Sequence, residues 1–273
     1  MVNILINGEV KETISINDRG LLYGDGLFET MAVHNNSIPL WETHWQRLSL
    51  GCQKLSINLP VKEIIEKEIA LLCNSQNKPR FVIKLIITRG EGKRGYRFTE
   101  NQDATRILSC HVWPNHPESF QLEGVAVCYC ETILSENKKL AGIKHLNRLE
   151  QVLARNEWDD DFQEGLMLSA QGKVIDGTMS NVFAVIDGKV YTPGLSLSGV
   201  AGVMRNTVIN IAKEKKILIS EKEFTKSELE MADELFLTNS LFGIWPIKNI
   251  GGKQFTNVGK VTKQLQEEIN KIC

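Results

Sequence analysis

The alternation of hydrophobic and polar residues predicts most of the strands in this chain. In the segment 81–87, Phe81, Ile83, Leu85 and Ile87 are two residues apart and would share one face of a β-strand. Residues 2–16 alternate on both sides of Asn7-Gly8, a type I′ turn sequence, and this predicts a hairpin. Residues 17–30 are glycine-rich and predict a loop that leads into a strand. The same reasoning places strands at 106–113, 123–131, 165–169, 217–223 and 234–238, and a second hairpin over 181–192 turned by Asp187-Gly188.

Hydrophobic residues three and four positions apart predict the helices. Over residues 40–56 they form one stripe, and Arg47 lies on its flank; the stripe comprises Trp41, Trp45, Leu48, Cys52 and Leu55. A helix over 145–156 is expected directly after Lys144, with Leu146, Leu149 and Leu153 on one face. Further helices are expected at 61–74, 203–216, 227–231 and 258–272.

A short proline-containing segment divides the chain. Residues 113–120 hold two prolines and show no hydrophobic period, so they are the expected linker. They separate an α+β N-terminal domain, 1–112, from a larger C-terminal domain, 121–273. A length of 273 residues suits two lobes, since each then falls in the usual range of domain sizes.

Composition excludes several classes of function. The net charge is −1, from 32 basic and 33 acidic residues, so no domain-wide basic field exists for nucleic acid or an anionic membrane. No window approaches 18 uninterrupted apolar residues, and the N-terminus does not resemble a signal peptide. The six cysteines include no C-x-x-C pair and predict reduced thiols. We therefore expect a soluble, cytoplasmic protein without a metal site.

Four segments contain candidate chemistry, each with a plain structural alternative. Lys144 stands between Gly142 and a predicted helix, where a desolvated lysine can form a Schiff base, although a solvated surface lysine has the same sequence appearance. The turn 198–202 leads into a helix whose first N–H groups can bind phosphate, or it is only a tight turn. Asp176-Gly177 is typical of a turn. The basic loop 89–96 can bind a carboxylate or remain solvated.

Six segments together resemble a known family, the fold-type IV pyridoxal-phosphate enzymes. They follow one another in the family's order and span nearly the whole chain: NDRGLLYGDGLFET, HWQRL, AGIKHLNRLEQVLAR, GTMSNVFAV, GVAGVMR and LTNSLFGIWPI. The family includes branched-chain and D-amino-acid transaminases and aminodeoxychorismate lyases. The resemblance implies an α+β / α/β fold with a smaller N-terminal α+β domain and a larger C-terminal domain with a barrel-like sheet. It also implies pyridoxal 5′-phosphate as cofactor and a homodimer.

The resemblance assigns expected roles to individual residues. Lys144 matches the lysine that forms the Schiff base with the cofactor, and Arg47 matches the arginine that binds its phosphate. Val203 and Met204 match residues whose backbone N–H groups hold the same phosphate, and Ser240 matches a hydroxyl that reaches it. Asp176 stands where the family usually has a glutamate that pairs with the pyridine nitrogen. It keeps the charge but is one methylene shorter.

Within the family, IKHLNRLEQVLAR and RGEGKRGY most resemble aminodeoxychorismate lyases. The resemblance implies conversion of 4-amino-4-deoxychorismate to 4-aminobenzoate and pyruvate, in folate biosynthesis. This substrate carries two carboxylates, and the candidates to bind them are Arg89, Arg94 and Arg148. The alternatives are a transaminase for D-amino acids or branched-chain amino acids, and a non-catalytic binding protein on the same scaffold.

Overall fold

The chain forms two compact units in the computed structural model, which describes residues 2–100 and 102–272. The first unit takes in the chain up to Pro114 together with the later segment Ile143–Asn147. The second takes in Asn115–Gly142 and the chain from Arg148 onward. The short segment that contains Lys144 thus packs with the N-terminal unit, although most of its neighbours in sequence do not. The proposed linker, 113–120, stays a prediction.

The first unit is a four-stranded antiparallel sheet with helices. Its elements in chain order are β1 (Ile4–Ile6), α1 (Arg19–Tyr23), β2 (Gly26–His34), α2 (Trp41–Leu55), α3 (Lys62–Ser75), β3 (Arg80–Thr88) and β4 (Thr105–Val112). The strand order is β1-β4-β3-β2. β2 and β3 pair over their full lengths, from Gly26 opposite Thr88 to His34 opposite Arg80.

The predicted hairpin over 2–16 is half right. Asn7 and Gly8 adopt φ values of 52° and 84°, as a type I′ turn requires. The return arm beyond Glu9 is not a strand, because β1 pairs instead with β4, with Ile4 opposite Ser109. The sequence alternation at 14–16 therefore did not indicate a strand, and Ile16 is exposed.

The second unit is built on a larger mixed sheet. Its elements are α4 (Ser119–Leu122), β5 (Val125–Ile133), α5 (Leu149–Arg155), β6 (Glu164–Leu168), β7 (Val174–Gly177), β8 (Asn181–Ile186), β9 (Lys189–Thr192), α6 (Val203–Glu214), β10 (Ile219–Glu221), α7 (Lys226–Glu230), β11 (Glu234–Asn239), β12 (Gly243–Ile250), β13 (Lys253–Gln254) and α8 (Lys260–Ile269). The strands run in the order β10-β9-β8-β11-β12-β5-β6-β7, and β13 pairs with β12.

This sheet curls until its two edges meet. Val174 on the edge strand β7 forms an isolated bridge with Phe224, which follows the opposite edge strand β10. The amide of Val174 donates a 2.8 Å hydrogen bond to the carbonyl of Phe224. The interior holds a continuous apolar core of 16 buried residues that includes Leu166, Phe224 and Trp245. The barrel-like sheet expected for this unit is thus confirmed.

Two local predictions in the second unit are wrong. The helix expected over 145–156 is limited to α5, Leu149–Arg155. Its proposed apolar face is exposed, with Leu149 at 76% and Leu153 at 62% of their possible surface. Asp176-Gly177 is not a turn but the end of β7, and the turn follows at 177–180. The hairpin turned by Asp187-Gly188 is confirmed, with φ values of 50° and 71°.

Among the described residues, none of the helices has both the length and the apolar character needed to cross a membrane.

Candidate active site

Lys144 lies in an extended segment beside β2, not at the start of a helix. The amide of Phe28 donates to the carbonyl of Lys144 at 3.0 Å, and the amide of Leu146 donates to the carbonyl of Gly26 at the same distance. A Cβ on Gly26 would lie 2.5 Å from the carbonyl oxygen of Ile87 on β3 and 2.8 Å from Cδ1 of Leu146, so glycine allows both β3 and the Lys144 segment to approach. The backbone from Lys144 to Leu146 is therefore held to β2 by two hydrogen bonds that flank the bridge between Leu27 and His145.

The amine of Lys144 lies over an aromatic ring. Its Nζ atom is 4.3 Å from the centroid of the Phe28 ring, within the range of a cation–π interaction. The residue is half-buried. This is the partly desolvated setting in which a lysine can serve as a nucleophile.

Arg47 belongs to a buried charged cluster on the other face of β2. Its Nε donates to Oε1 of Glu29 at 2.8 Å, and its Nη2 donates to Oε2 of the same carboxylate. Nδ1 of His44 lies 2.6 Å from Oε2 of Glu29. Glu29 and His44 are each 1% exposed. Two hydrogen bonds between one guanidinium and one carboxylate fix the plane of the Arg47 side chain.

Burial and the neighbouring charges together set the protonation states of Glu29 and His44. Burial of Glu29 opposes ionisation, but the charge and hydrogen bonds of Arg47, with the bond from His44, outweigh it and hold the pKa of Glu29 at about 2. Burial lowers the pKa of His44, against the raising effect of Glu29. His44 is therefore neutral at pH 7. Since a carboxylate only accepts hydrogen bonds, Nδ1 of His44 carries the proton.

Sequence reasoning missed Glu29 and His44, although one signal was present. Leu27, Glu29, Met31 and Val33 share the buried face of β2. A glutamate within an otherwise apolar alternation needs a partner, because an unpaired buried charge is costly.

The three arginines expected near a substrate carboxylate have different settings. Arg89 is 4% exposed; it binds both carboxylate oxygens of Asp25 and donates to the carbonyls of Leu55 and Ser56. Because Nε, Nη1 and Nη2 of its guanidinium all have partners within the first unit, these contacts favour a structural role for Arg89; its expected role in substrate binding stays a prediction. Arg94 is exposed on the 89–96 loop, and Arg148 is the half-buried N-cap of α5.

The loop that carries Arg94 is anchored by Arg19. This arginine donates to the carbonyls of Gly95 and Tyr96 and also to Asp25. Burial acts against ionisation of Asp25, but Arg89 and Arg19 together lower its pKa below the usual value. The basic loop is thus tied to α1 and the start of β2.

In the second unit, Asp176 contacts the turn that precedes α6. It is 4% exposed on β7, and its Oδ2 accepts a 3.0 Å hydrogen bond from the amide of Val200. Nδ2 of Asn181 donates to the carbonyl of the same Val200 at 2.8 Å. The peptide groups of Val200 are therefore held from both sides, and a single turn links Asp176 with the start of α6.

α6 begins at Gly202, which has no side chain to cap the helix. Val203 and Met204, both buried, form its first turn. The first N–H groups of a helix point outward and attract anions. A Cβ on Gly202 would lie 2.0 Å from Oδ1 of Asn181, so the turn leaves no room for a side chain at that position.

Buried hydroxyls lie in the same part of the unit. Among the described residues, the hydroxyls of Ser198 and Thr238 are buried without a hydrogen-bond partner. Thr238 is opposite Asn181 across β11 and β8, so the two side chains share a face. Ser240 follows β11 directly and is half-buried. Buried donors beside an uncapped helix start fit a phosphate group, which supplies only acceptors at neutral pH.

The structure thus groups the expected residues into two sets, one in each unit. Lys144 lies with the face of β2 that carries Phe28, and Arg47 lies with Glu29 and His44. Asp176, Val203 and Met204 adjoin the 198–202 turn, and Ser240 directly follows β11. In residues 2–100 and 102–272, no group of three or more His, Cys, Asp or Glu side chains is placed to hold a metal ion.

Comparisons with known proteins agree on one family. The family model for class IV aminotransferases matches residues 26–250. Aminodeoxychorismate lyase of Vibrio harveyi is 35% identical over 97% of this chain and 98% of its own. D-alanine aminotransferase of Staphylococcus haemolyticus is 28% identical over 99% and 98%. The crystal structure of 4-amino-4-deoxychorismate lyase from Pseudomonas aeruginosa superposes with a TM-score of 0.93, at 42% identity and over 98% of both chains.

Proposed function

This chain belongs to the class IV aminotransferase family, and on that premise we propose that it is a pyridoxal-phosphate-dependent lyase. Its proposed reaction converts 4-amino-4-deoxychorismate to 4-aminobenzoate and pyruvate. The observation that carries this proposal is the similarity to a named 4-amino-4-deoxychorismate lyase at 42% identity over 98% of both chains.

The cofactor-binding roles are divided among the residues described above. Lys144 holds pyridoxal 5′-phosphate covalently through its Nζ atom. Arg47, the N–H groups of Val203 and Met204, and the hydroxyl of Ser240 bind the phosphate. The chemistry of this donor set supports the assignment, because a guanidinium, a helix N-terminus and a hydroxyl all donate to a dianion.

Asp176 is the proposed partner of the pyridine nitrogen. Its carboxylate is buried and oriented by the amide of Val200, so it offers a negative charge in a defined direction. A carboxylate at that position keeps a pyridine nitrogen protonated. The bound cofactor then supplies an electron sink for negative charge that develops on a substrate carbon.

The remaining steps are proton transfers by Lys144. The substrate amine would first take the place of Lys144 on the cofactor. The released amine of Lys144 would then remove the proton from the carbon that bears the substrate amine, as a general base. The carbon–oxygen bond to the enolpyruvyl group then breaks, and the six-membered ring becomes aromatic. Lys144 delivers a proton to the departing enolpyruvate, which gives pyruvate. The aromatic product is 4-aminobenzoate.

Two arginines remain as proposed ligands of the substrate carboxylates. Arg94 is exposed on the anchored basic loop, and Arg148 is half-buried before α5. A guanidinium binds a carboxylate through two parallel hydrogen bonds, so either can orient the substrate.

A transaminase is the second candidate function, and the similarity to a D-alanine aminotransferase over 99% of the chain favours it. One experiment separates the two. The purified protein is given 4-amino-4-deoxychorismate in one reaction, and D-alanine or a branched-chain amino acid with 2-oxoglutarate in others. Release of 4-aminobenzoate with pyruvate supports the lyase. Glutamate formation without 4-aminobenzoate would contradict it and support the transaminase.

The pathway, the cellular compartment and the oligomeric state of the protein are part of the same proposal. A lyase that produces 4-aminobenzoate supplies a precursor of folate. We propose that the protein is cytoplasmic, in keeping with its cysteine usage, and that it functions as a homodimer.

A further inference from the structure

We propose that Glu164 is a positioning residue that fixes Asp176 and the phosphate-binding turn at the same time. This inference rests on the proposed cofactor site and adds a residue to which no role has been assigned. Glu164 is the first residue of β6, and it is 1% exposed.

The carboxylate of Glu164 organises the turn that follows Asp176. Its Oε1 accepts from the amide of Gly165 at 2.9 Å, the amide of Thr178 at 3.0 Å and the hydroxyl of Thr178 at 2.5 Å. Its Oε2 accepts from the amide of Met179 at 3.2 Å and the hydroxyl of Ser180 at 2.7 Å. Five donors, all neutral, thus converge on one buried carboxylate. Such a group needs every one of them to offset the cost of its burial.

The geometry of the turn leaves little freedom. A Cβ on Gly177 would meet the hydroxyl of Ser180 at 2.3 Å and Oε2 of Glu164 at 2.7 Å. The amide of Gly177 also donates to the carbonyl of Ser180 at 2.7 Å. The chain between Asp176 and Asn181 is therefore closed tightly around the Glu164 carboxylate.

This turn joins three segments that the proposed site uses. Asp176 precedes it and accepts from the amide of Val200. Asn181 follows it and donates to the carbonyl of Val200, next to the start of α6. Asn239 donates to the carbonyl of Met179 within it and directly precedes Ser240. Glu164 therefore acts through the turn on the pyridine-binding carboxylate and on the phosphate-binding residues.

Glu164→Gln tests the inference, because it keeps the size of the side chain and removes one acceptor. The amide NH₂ group must then face at least one of the donors that now bond to the carboxylate, and that hydrogen bond is lost. The control is Glu157→Gln, which also removes a carboxylate that accepts from two backbone amides, those of Glu131 and Thr132, on an exposed part of the same unit. Ser180→Ala is the milder variant, since it removes one donor and leaves the carboxylate in place.

Two readouts are measured on each protein: the dissociation constant of pyridoxal 5′-phosphate by titration of the apoprotein, and the ¹⁵N chemical shift of the cofactor pyridine nitrogen. We expect Glu164→Gln to weaken binding at least tenfold and to move the ¹⁵N shift towards the unprotonated value. Glu157→Gln should match the wild type in both. The shift of the pyridine nitrogen reports on Asp176, so a general loss of stability alone does not produce it.

Each outcome bears on a separate claim. Wild-type affinity and an unchanged ¹⁵N shift in folded Glu164→Gln would overturn the positioning role. If Glu164→Gln does not fold, Ser180→Ala tests the inference instead. We expect a smaller loss of cofactor affinity and a smaller ¹⁵N shift in the same direction. Wild-type values of both in Ser180→Ala would contradict the inference. A wild-type protein that binds no pyridoxal 5′-phosphate would instead contradict the proposed function.

Discussion

Glu29 on β2 and Arg47 on α2 form a buried, two-point ion pair, with Nε of the arginine 2.8 Å from Oε1 of the carboxylate. The pair fixes the arginine that we propose as a phosphate ligand before any cofactor arrives. It also makes the stability of the first unit depend on the charge of a single buried glutamate.

That dependence predicts how stability changes with pH. The pKa of Glu29 is about 2 in the folded protein, whereas an unperturbed glutamate has a pKa of 4.5. The charge of Glu29 therefore stabilises the folded state fully above pH 4.5. This contribution is lost as the pH falls from 4.5 towards 2, and a shift of this size corresponds to ~3 kcal/mol. Glu29→Gln should be less stable than the wild type by about that amount at pH 7. Urea unfolding is measured at pH 7, 4 and 3. The difference in free energy of unfolding between wild type and Glu29→Gln should become smaller as the pH falls, and a difference that stays constant would contradict the account.

The start of α6 predicts a specific effect on cofactor binding. Gly202→Ala keeps an allowed backbone, since φ is −60°, but its Cβ would overlap Oδ1 of Asn181. We expect the turn to shift and the dissociation constant of pyridoxal 5′-phosphate to rise at least tenfold. Gly252→Ala is the matched control, because no heavy atom outside its immediate neighbours lies within 4 Å of the added Cβ. Equal affinities in the two variants would argue against phosphate binding at this turn.

Asp176→Asn removes a charge without changing the size of the side chain. An amide cannot hold a pyridine nitrogen in its protonated form as a carboxylate does. We expect turnover to fall by at least a factor of ~100, equivalent to ~3 kcal/mol of transition-state stabilisation, while the cofactor stays covalently bound. Rapid borohydride reduction followed by mass measurement checks attachment in the same samples. Wild-type turnover in folded Asp176→Asn would remove this residue from the mechanism.

Arg89 and Arg94 are predicted to behave in opposite ways. Arg89→Gln leaves Asp25 with one arginine fewer and leaves the carbonyls of Leu55 and Ser56 without its donors. It should lower the free energy of unfolding by ~2–4 kcal/mol, and the folded enzyme should keep its KM. Arg94→Gln should raise KM and change stability by less than ~0.5 kcal/mol, because the side chain is exposed. Denaturant unfolding and steady-state kinetics are measured on both variants. A raised KM with unchanged stability in Arg89→Gln, or lost stability with unchanged KM in Arg94→Gln, would contradict these two roles.

Sequence patterns correctly predicted the helices, strands and turns that depend mainly on residues close to one another in the chain. The spacing of hydrophobic residues predicted α2 to within a residue at each end, and hydrophobic residues two positions apart over 81–87 predicted β3. Asp187-Gly188 identified a hairpin because few residues adopt positive φ at both turn positions.

The failures come from contacts between segments that are distant in sequence. The segment around Lys144 is held beside β2 because Phe28 donates to the carbonyl of Lys144 and Gly26 accepts from the amide of Leu146, and both partners lie far earlier in the chain. Leucines at helical spacing could not reveal this. The partners of Glu29 were equally hidden, since only the packing of α2 on β2 brings Arg47 and His44 to it. The family resemblance supplied the role that we propose for Lys144, which the residues alone left open.

The most direct test of the account is a comparison of wild type and Lys144→Ala supplied with 4-amino-4-deoxychorismate. Pyruvate and 4-aminobenzoate are quantified together over time. The account predicts that the wild type releases them in equal amounts and that Lys144→Ala, folded and incubated with pyridoxal 5′-phosphate, releases neither. Release at the wild-type rate by Lys144→Ala, or no release by the wild type, would contradict it.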